Sequence, residues 1–104
     1  MILTDYLRSD KDITWEYAYT SGVKYATIRL PDDPNFDFTN YKKIKAIYDN
    51  FIKFGITPIA LEPMPNQIWE SVKRGDKNRD KNINILIKLL AILDRLNIRT
   101  ICFN

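Results

Sequence analysis

The sequence predicts an α/β fold built on a parallel sheet, and three observations predict it. Short β-branched apolar runs recur at Val23 to Leu30, Thr57 to Leu61 and Ile98 to Phe103. Helical patterns lie between them, with apolar residues at three- and four-residue steps. Each run is apolar on consecutive positions rather than alternate ones, the habit of strands covered on both faces in parallel sheets. Strand and helix therefore alternate as β-α-β-α-β-α-β in units of about forty residues, with right-handed crossovers expected. Alternation alone leaves a doubly wound sheet and part of a barrel both open.

The elements follow in order. Ile2 to Thr4 is the candidate for the first strand. A first helix is predicted over Ile13 to Ser21, with Asp12 as N-cap and Gly22 placed for a left-handed end. A second covers Asn40 to Phe54 and closes at Gly55, its stripe running through Tyr41, Ile44, Ile47, Tyr48, Phe51 and Ile52. A third covers Lys81 to Leu96, capped by Asn78 or Asp80 and terminated by Asn97. Its apolar stripe, which includes Ile87, Leu89, Leu90, Ile92 and Leu93, is broad enough to predict deep burial or contact with another subunit.

Composition narrows the chemistry. The chain of 104 residues is at most one domain, and its 45% hydrophobic and 28% charged content is that of a globular protein. The formal charge of +3 is interspersed, and no aromatic ladder accompanies the lysines, so nucleic acid is not an expected partner. No run approaches the roughly 20 apolar residues of a membrane span. Met1 to Asp5 meets an acid before any apolar leader can build, so a cytoplasmic location is expected. The one cysteine, Cys102, excludes an internal disulfide and is predicted to be a small buried hydrophobe on the last strand. There is no histidine, which removes the usual general base and the commonest transition-metal ligand. Chemistry within the chain would fall to Asp, Glu, Lys, Tyr or Cys. No phosphate loop and no zinc pattern occurs.

Ligands of parallel α/β folds collect at the carboxyl ends of the strands. Arg29, before the acidic turn Asp32-Asp33, carries a planar fork suited to a carboxylate. Glu62 ends a strand ahead of Pro63 and Pro65, where a fixed carboxylate can accept a hydroxyl proton or help bind a cation. Asn104 offers an amide and a carbonyl at the last exit. Lys73 to Asp80 reads as a charged loop before a helix.

These exits resemble a known family. Gly55-Ile56-Thr57-Pro58-Ile59-Ala60-Leu61-Glu62-Pro63-Met64-Pro65, then Lys73-Arg74-Gly75-Asp76, then Arg79-Asp80, then Ile98-Arg99-Thr100-Ile101-Cys102-Phe103-Asn104 stand in the order and spacing seen in mannonate dehydratase. Trp15 to Gly22 and the strand ending Arg29-Leu30-Pro31 match more loosely. The resemblance implies the first half of a xylose-isomerase-like (β/α)8 TIM barrel, with residues 1–104 a single partial barrel domain. It implies dehydration of D-mannonate to 2-keto-3-deoxygluconate with a divalent metal, usually manganese. It makes Arg29, Glu62, Arg79 and Asn104 candidate substrate-side residues and leaves the catalytic residues unassigned. A TIM barrel takes about 250 residues, and the family's metal-holding His, Cys and Asp region has no counterpart here. The chain alone is therefore expected to be inactive and to contain no metal ligands or cofactor of its own. A homo-oligomer is expected, and the sugar acid is the substrate expected of a completed barrel. The alternatives are a fragment of a sugar isomerase or epimerase barrel, and a non-catalytic α/β module that self-associates.

Overall fold

Four parallel strands stand side by side in the order in which the chain makes them. In the computed structural model, which describes residues 4–102, they are β1 (Thr4–Arg8), β2 (Tyr25–Arg29), β3 (Thr57–Leu61) and β4 (Thr100–Ile101). The connections carry α1 (Ile13–Thr20), α2 (Tyr41–Phe54) and, between β3 and β4, two helices, α3 (Asn66–Arg74) and α4 (Arg79–Arg95). Right-handed crossovers in an unbroken sequential order put every helix on the same face of the sheet. A doubly wound sheet reverses direction at a switch point, and no reversal occurs among the described strands. The order is thus that of a singly wound sheet, the arrangement from which β/α barrels are made.

Burial follows that one-sided cover. Leu7, Ala26 and Ile28 are sealed in the core beneath the helices. On the opposite face Thr4, Tyr6 and Arg8 of β1 lie in register with Tyr25, Thr27 and Arg29 of β2, and the Thr4 and Thr27 hydroxyls meet at 3.1 Å. Tyr6 and Tyr25 remain 47% and 38% exposed. The sheet therefore has one packed face and one open face. β3 carries Pro58, which has no amide to give to the ladder. The β2–β3 register shifts just beyond it, so that Ala26 pairs with Pro58 and Thr27 with Ala60. That bulge adds twist next to the strand exit.

The core is held by aromatics on α1 and α2. Trp15 stacks on Phe51 with ring centroids 3.9 Å apart, and Phe54 meets Trp15 edge-on at 5.7 Å. The Trp15 indole N–H donates to the Arg8 carbonyl at 3.0 Å, tying the start of α1 to the end of β1. Asp12 caps α1 by accepting the Thr14 amide, and Asn40 caps α2 by accepting the Lys43 amide. Gly55, in the left-handed region, ends α2. Leu89, Ile92 and Leu93 of α4 are buried, and Asn97 turns the chain out of that helix at φ +60°.

Several expectations need correction. The first strand is β1 at Thr4–Arg8, displaced from Ile2 to Thr4, of which only Thr4 lies within the described residues. Of its five residues only Leu7 is buried, so it presents no continuous apolar run. The stretch Asn66–Arg74 is helical, and Lys73 and Arg74 end that helix instead of beginning a loop. Its apolar Ile68, Trp69 and Val72 are too few to display a period, but Pro65 accepts the Ile68 and Trp69 amides and starts the turn. The last strand is limited to Thr100–Ile101. Cys102 follows it half-buried, and Leu90 on α4 is 37% exposed.

Candidate functional site

Parallel strands all deliver their carboxyl ends to one rim of the sheet, and that rim holds a cleft of about 590 Å³ between the exits of β1 and β2. Arg8, Lys11 and Arg29 supply its cationic groups, and Asp10, Asp12 and Asp32 stand among its acids together with Asp33. Arg29 also walls a smaller hollow that continues toward Pro63, Pro65 and Gln67 at the β3 exit. The opposite rim has an open depression of similar volume, lined by Tyr19, Val23, Lys24 and Tyr25 among others. It contains a single charged group, Lys24, and offers little polar chemistry. The carboxyl-end cleft is the candidate site.

Two of its four acids are already committed to local backbone. Asp12 accepts both the Thr14 amide and the Thr14 hydroxyl. Those hydrogen bonds, the hydroxyl's first, hold its carboxyl below the usual carboxylate range. Asp33 accepts the Asn35 amide at 2.8 Å and makes a turn. Gln67 of α3 donates to the Asp33 carbonyl at 3.3 Å, which fixes this loop against the β3 exit. Beyond the cleft, Asp37 repeats the Asp12 pattern with Thr39, and its carboxyl is lowered for the same reason.

The cations differ in how firmly they are held. Lys11 lies over the Phe54 ring, 4.8 Å from its centroid. Arg29 meets Asp32 at 3.4 Å, a long contact between side chains 37% and 80% exposed, and such pairs contribute little. Arg29 thus lies beside the acidic turn and also lines the cleft. Arg8 makes no side-chain hydrogen bond or ion pair among the described residues. It escaped notice in the sequence because β1 did, yet a signal existed. Arg8-Ser9-Asp10 and Arg29-Leu30-Pro31-Asp32 each place an arginine at a strand end just ahead of an acid.

The remaining sequence candidates are dispersed. Glu62 is exposed at the β3 exit, where the chain passes through a cis Glu62–Pro63 bond, and its amide donates to the Ile28 carbonyl at 3.0 Å. Its carboxylate has no hydrogen-bond or ion-pair partner among the described residues, and it does not line the cleft. Arg79 opens α4 as an exposed residue, its amide donating to the Asp76 carbonyl at 3.0 Å, and is likewise absent from the cleft wall. Asn104 lies outside the described residues. Cys102 pairs through its backbone, donating to the Leu61 carbonyl and accepting the Met64 amide. Among the described residues no group of three or more Cys, Asp or Glu could hold a metal, and no helix is long and apolar enough to cross a membrane.

Comparison with known proteins yields a partial similarity. Over 82 residues, 79% of this chain, the sequence is 32% identical to a mannonate dehydratase from Oceanobacillus iheyensis. The chain spans 23% of the length of that protein. No family model matches the chain, and no solved structure matches it.

Proposed function

We propose that this chain is the first β/α half of a mannonate dehydratase-like barrel and contributes the part of the site that grips the carboxylate end of a sugar acid. The similarity to the Oceanobacillus iheyensis protein carries this reading, and the sequential parallel sheet supports it because a barrel is built in that order. Arg29, which ends β2 and lines both hollows, supports this reading, because its planar fork would receive the carboxylate. Glu62, further along the same rim, stands where a ligand hydroxyl would meet a free carboxylate.

Dehydration of a sugar acid requires a proton to leave from the carbon beside the carboxylate, and holding that end still is a binding task. Manganese, which the family resemblance implies, does not fit the described residues: the chain has no histidine and they contain no cluster of metal-ligating acids. The share proposed for this chain is therefore binding and orientation.

A chimera tests the reading. The matched 82-residue segment would replace its counterpart in the Oceanobacillus iheyensis protein. With manganese added, the expected product from D-mannonate is 2-keto-3-deoxygluconate, while the isolated chain gives none. Arg29→Gln in the chimera should raise KM about tenfold or more, the loss of one charge-assisted hydrogen bond. A chimera that folds and assembles like the parent protein yet forms no product overturns the proposal.

A further inference from the structure

We infer that Arg8 and Arg29 act as a pair that binds the carboxylate of a small, singly charged, polyhydroxylated acid at the cleft between β1 and β2. This deepens the sugar-acid reading above and rests on it for the class of ligand. Arg8 is the new element, and four observations lead to it.

Arg8 and Arg29 are register partners at the carboxyl ends of adjacent parallel strands. Register partners share a face, here the open one, and both line the same cleft. Like charges opposite one another in a sheet repel and weaken the pairing. A ligand anion lying between the two forks removes that repulsion and gains a bidentate partner.

Second, Arg8 makes no ion pair or side-chain hydrogen bond among the described residues, and Arg29 holds Asp32 only at 3.4 Å. Their donors are open to a ligand. Third, the end of β1 is fixed from below. The Arg8 carbonyl accepts the buried Trp15 indole N–H, and Trp15 is stacked on Phe51. The guanidinium therefore projects from an anchored backbone instead of a loop.

The fourth observation sets the charge of the ligand. Asp10 and Asp32 share the cleft with the arginines, and Asp12 and Asp33, though committed to Thr14 and Asn35, add their charge. These carboxylates accept hydrogen bonds from ligand hydroxyls, but they repel a second negative charge. The cleft selects a monocarboxylate bearing hydroxyls over a phosphate dianion.

The test uses the full chain and the arginine Nε–Hε signals in a ¹H–¹⁵N NMR spectrum, titrated with D-mannonate, its neutral counterpart D-mannose, or inorganic phosphate. D-mannonate should shift the Arg8 and Arg29 signals together with one dissociation constant. D-mannose should leave both in place, and phosphate should bind at least about tenfold more weakly than D-mannonate. Arg8→Gln should weaken D-mannonate about tenfold or more as read at Arg29, and Arg8→Lys should recover only part of that loss, because an ammonium lacks the fork. Lys88→Gln, on exposed α4 surface, should change nothing. Unaltered binding in Arg8→Gln, equal response to D-mannose, or tighter binding of phosphate each overturns the inference. Amide spectra of the variants verify that the sheet is intact, and the Arg8→Lys comparison decides the matter if Arg8→Gln perturbs it. Failure here leaves the chimera result standing. Conversely, an inert chimera beside an arginine pair that binds D-mannonate overturns the enzyme reading and keeps the pair.

Discussion

Gly55 joins a backbone requirement to a packing one. Its φ of +103° lies where L side chains are strained, and a Cβ built there would come within 2.8 Å of the Tyr19 ring. The ring edge is exposed and able to move, so the backbone supplies most of the cost. Gly55→Ala should destabilise the chain by about 1–3 kcal/mol. Gly75→Ala, at φ +64° with nothing within 4 Å of the added carbon, should cost less. Urea midpoints of the two variants measure the difference, and a smaller loss at Gly55 would refute this account. The glycine itself was legible in the sequence as a helix terminator. Its encounter with Tyr19 was not, because that contact joins the end of α1 to the end of α2 across residues far apart in sequence.

At the level of elements, legibility tracked how each segment is covered. α2 and β3 matched their expected spans closely, since a full amphipathic period and an unbroken apolar run are strong local signals. β1 and α3 were displaced or absent from the reading, since one has an open face and the other has three apolar residues in nine. The candidate site suffered from the same gap. Arg29 and the strand-end rim were visible in sequence, but Arg8 needed the β1 register. α4 illustrates a further limit: its apolar stripe is broader than the face it buries. Leu93 is fully buried whereas Leu90 is 37% exposed. Leu93→Ala should therefore cost about 2–5 kcal/mol, and Leu90→Ala about 1 kcal/mol or less, nearer to the small effect expected of surface positions. Equal unfolding midpoints for the two would mean that Leu90 is covered in solution, by a second copy or by another segment.

For the molecule as a whole, the decisive property is the uncovered sheet face. Right-handed crossovers in this strand order put the helices on one side, and Tyr6 and Tyr25 stand at 47% and 38% exposure on the other. A barrel fills this space with side chains from the strands opposite. Among the described residues no element covers that face, so the isolated chain is expected to leave it wet or to pair it with a second copy. The edges sharpen the demand: β1 carries Asp5 and Arg8, charges that discourage added strands, while Thr100–Ile101 on the β4 edge carries none. Association of open faces is therefore favoured over continuation from the β1 edge. A symmetric dimer would place the same patch of both copies in contact, with the two tyrosines near its centre. Sedimentation of the isolated chain at micromolar concentration should show a dimer or larger species. Tyr6→Glu with Tyr25→Glu should shift it toward monomer, because each introduces a charge that the contact would have to desolvate. Arg8 stands on the same face, so D-mannonate bound at the arginine pair should compete with the contact if the two surfaces overlap. A stable, well-folded monomer at that concentration would show that the sheet tolerates its open face, and self-association would then have no support from the fold.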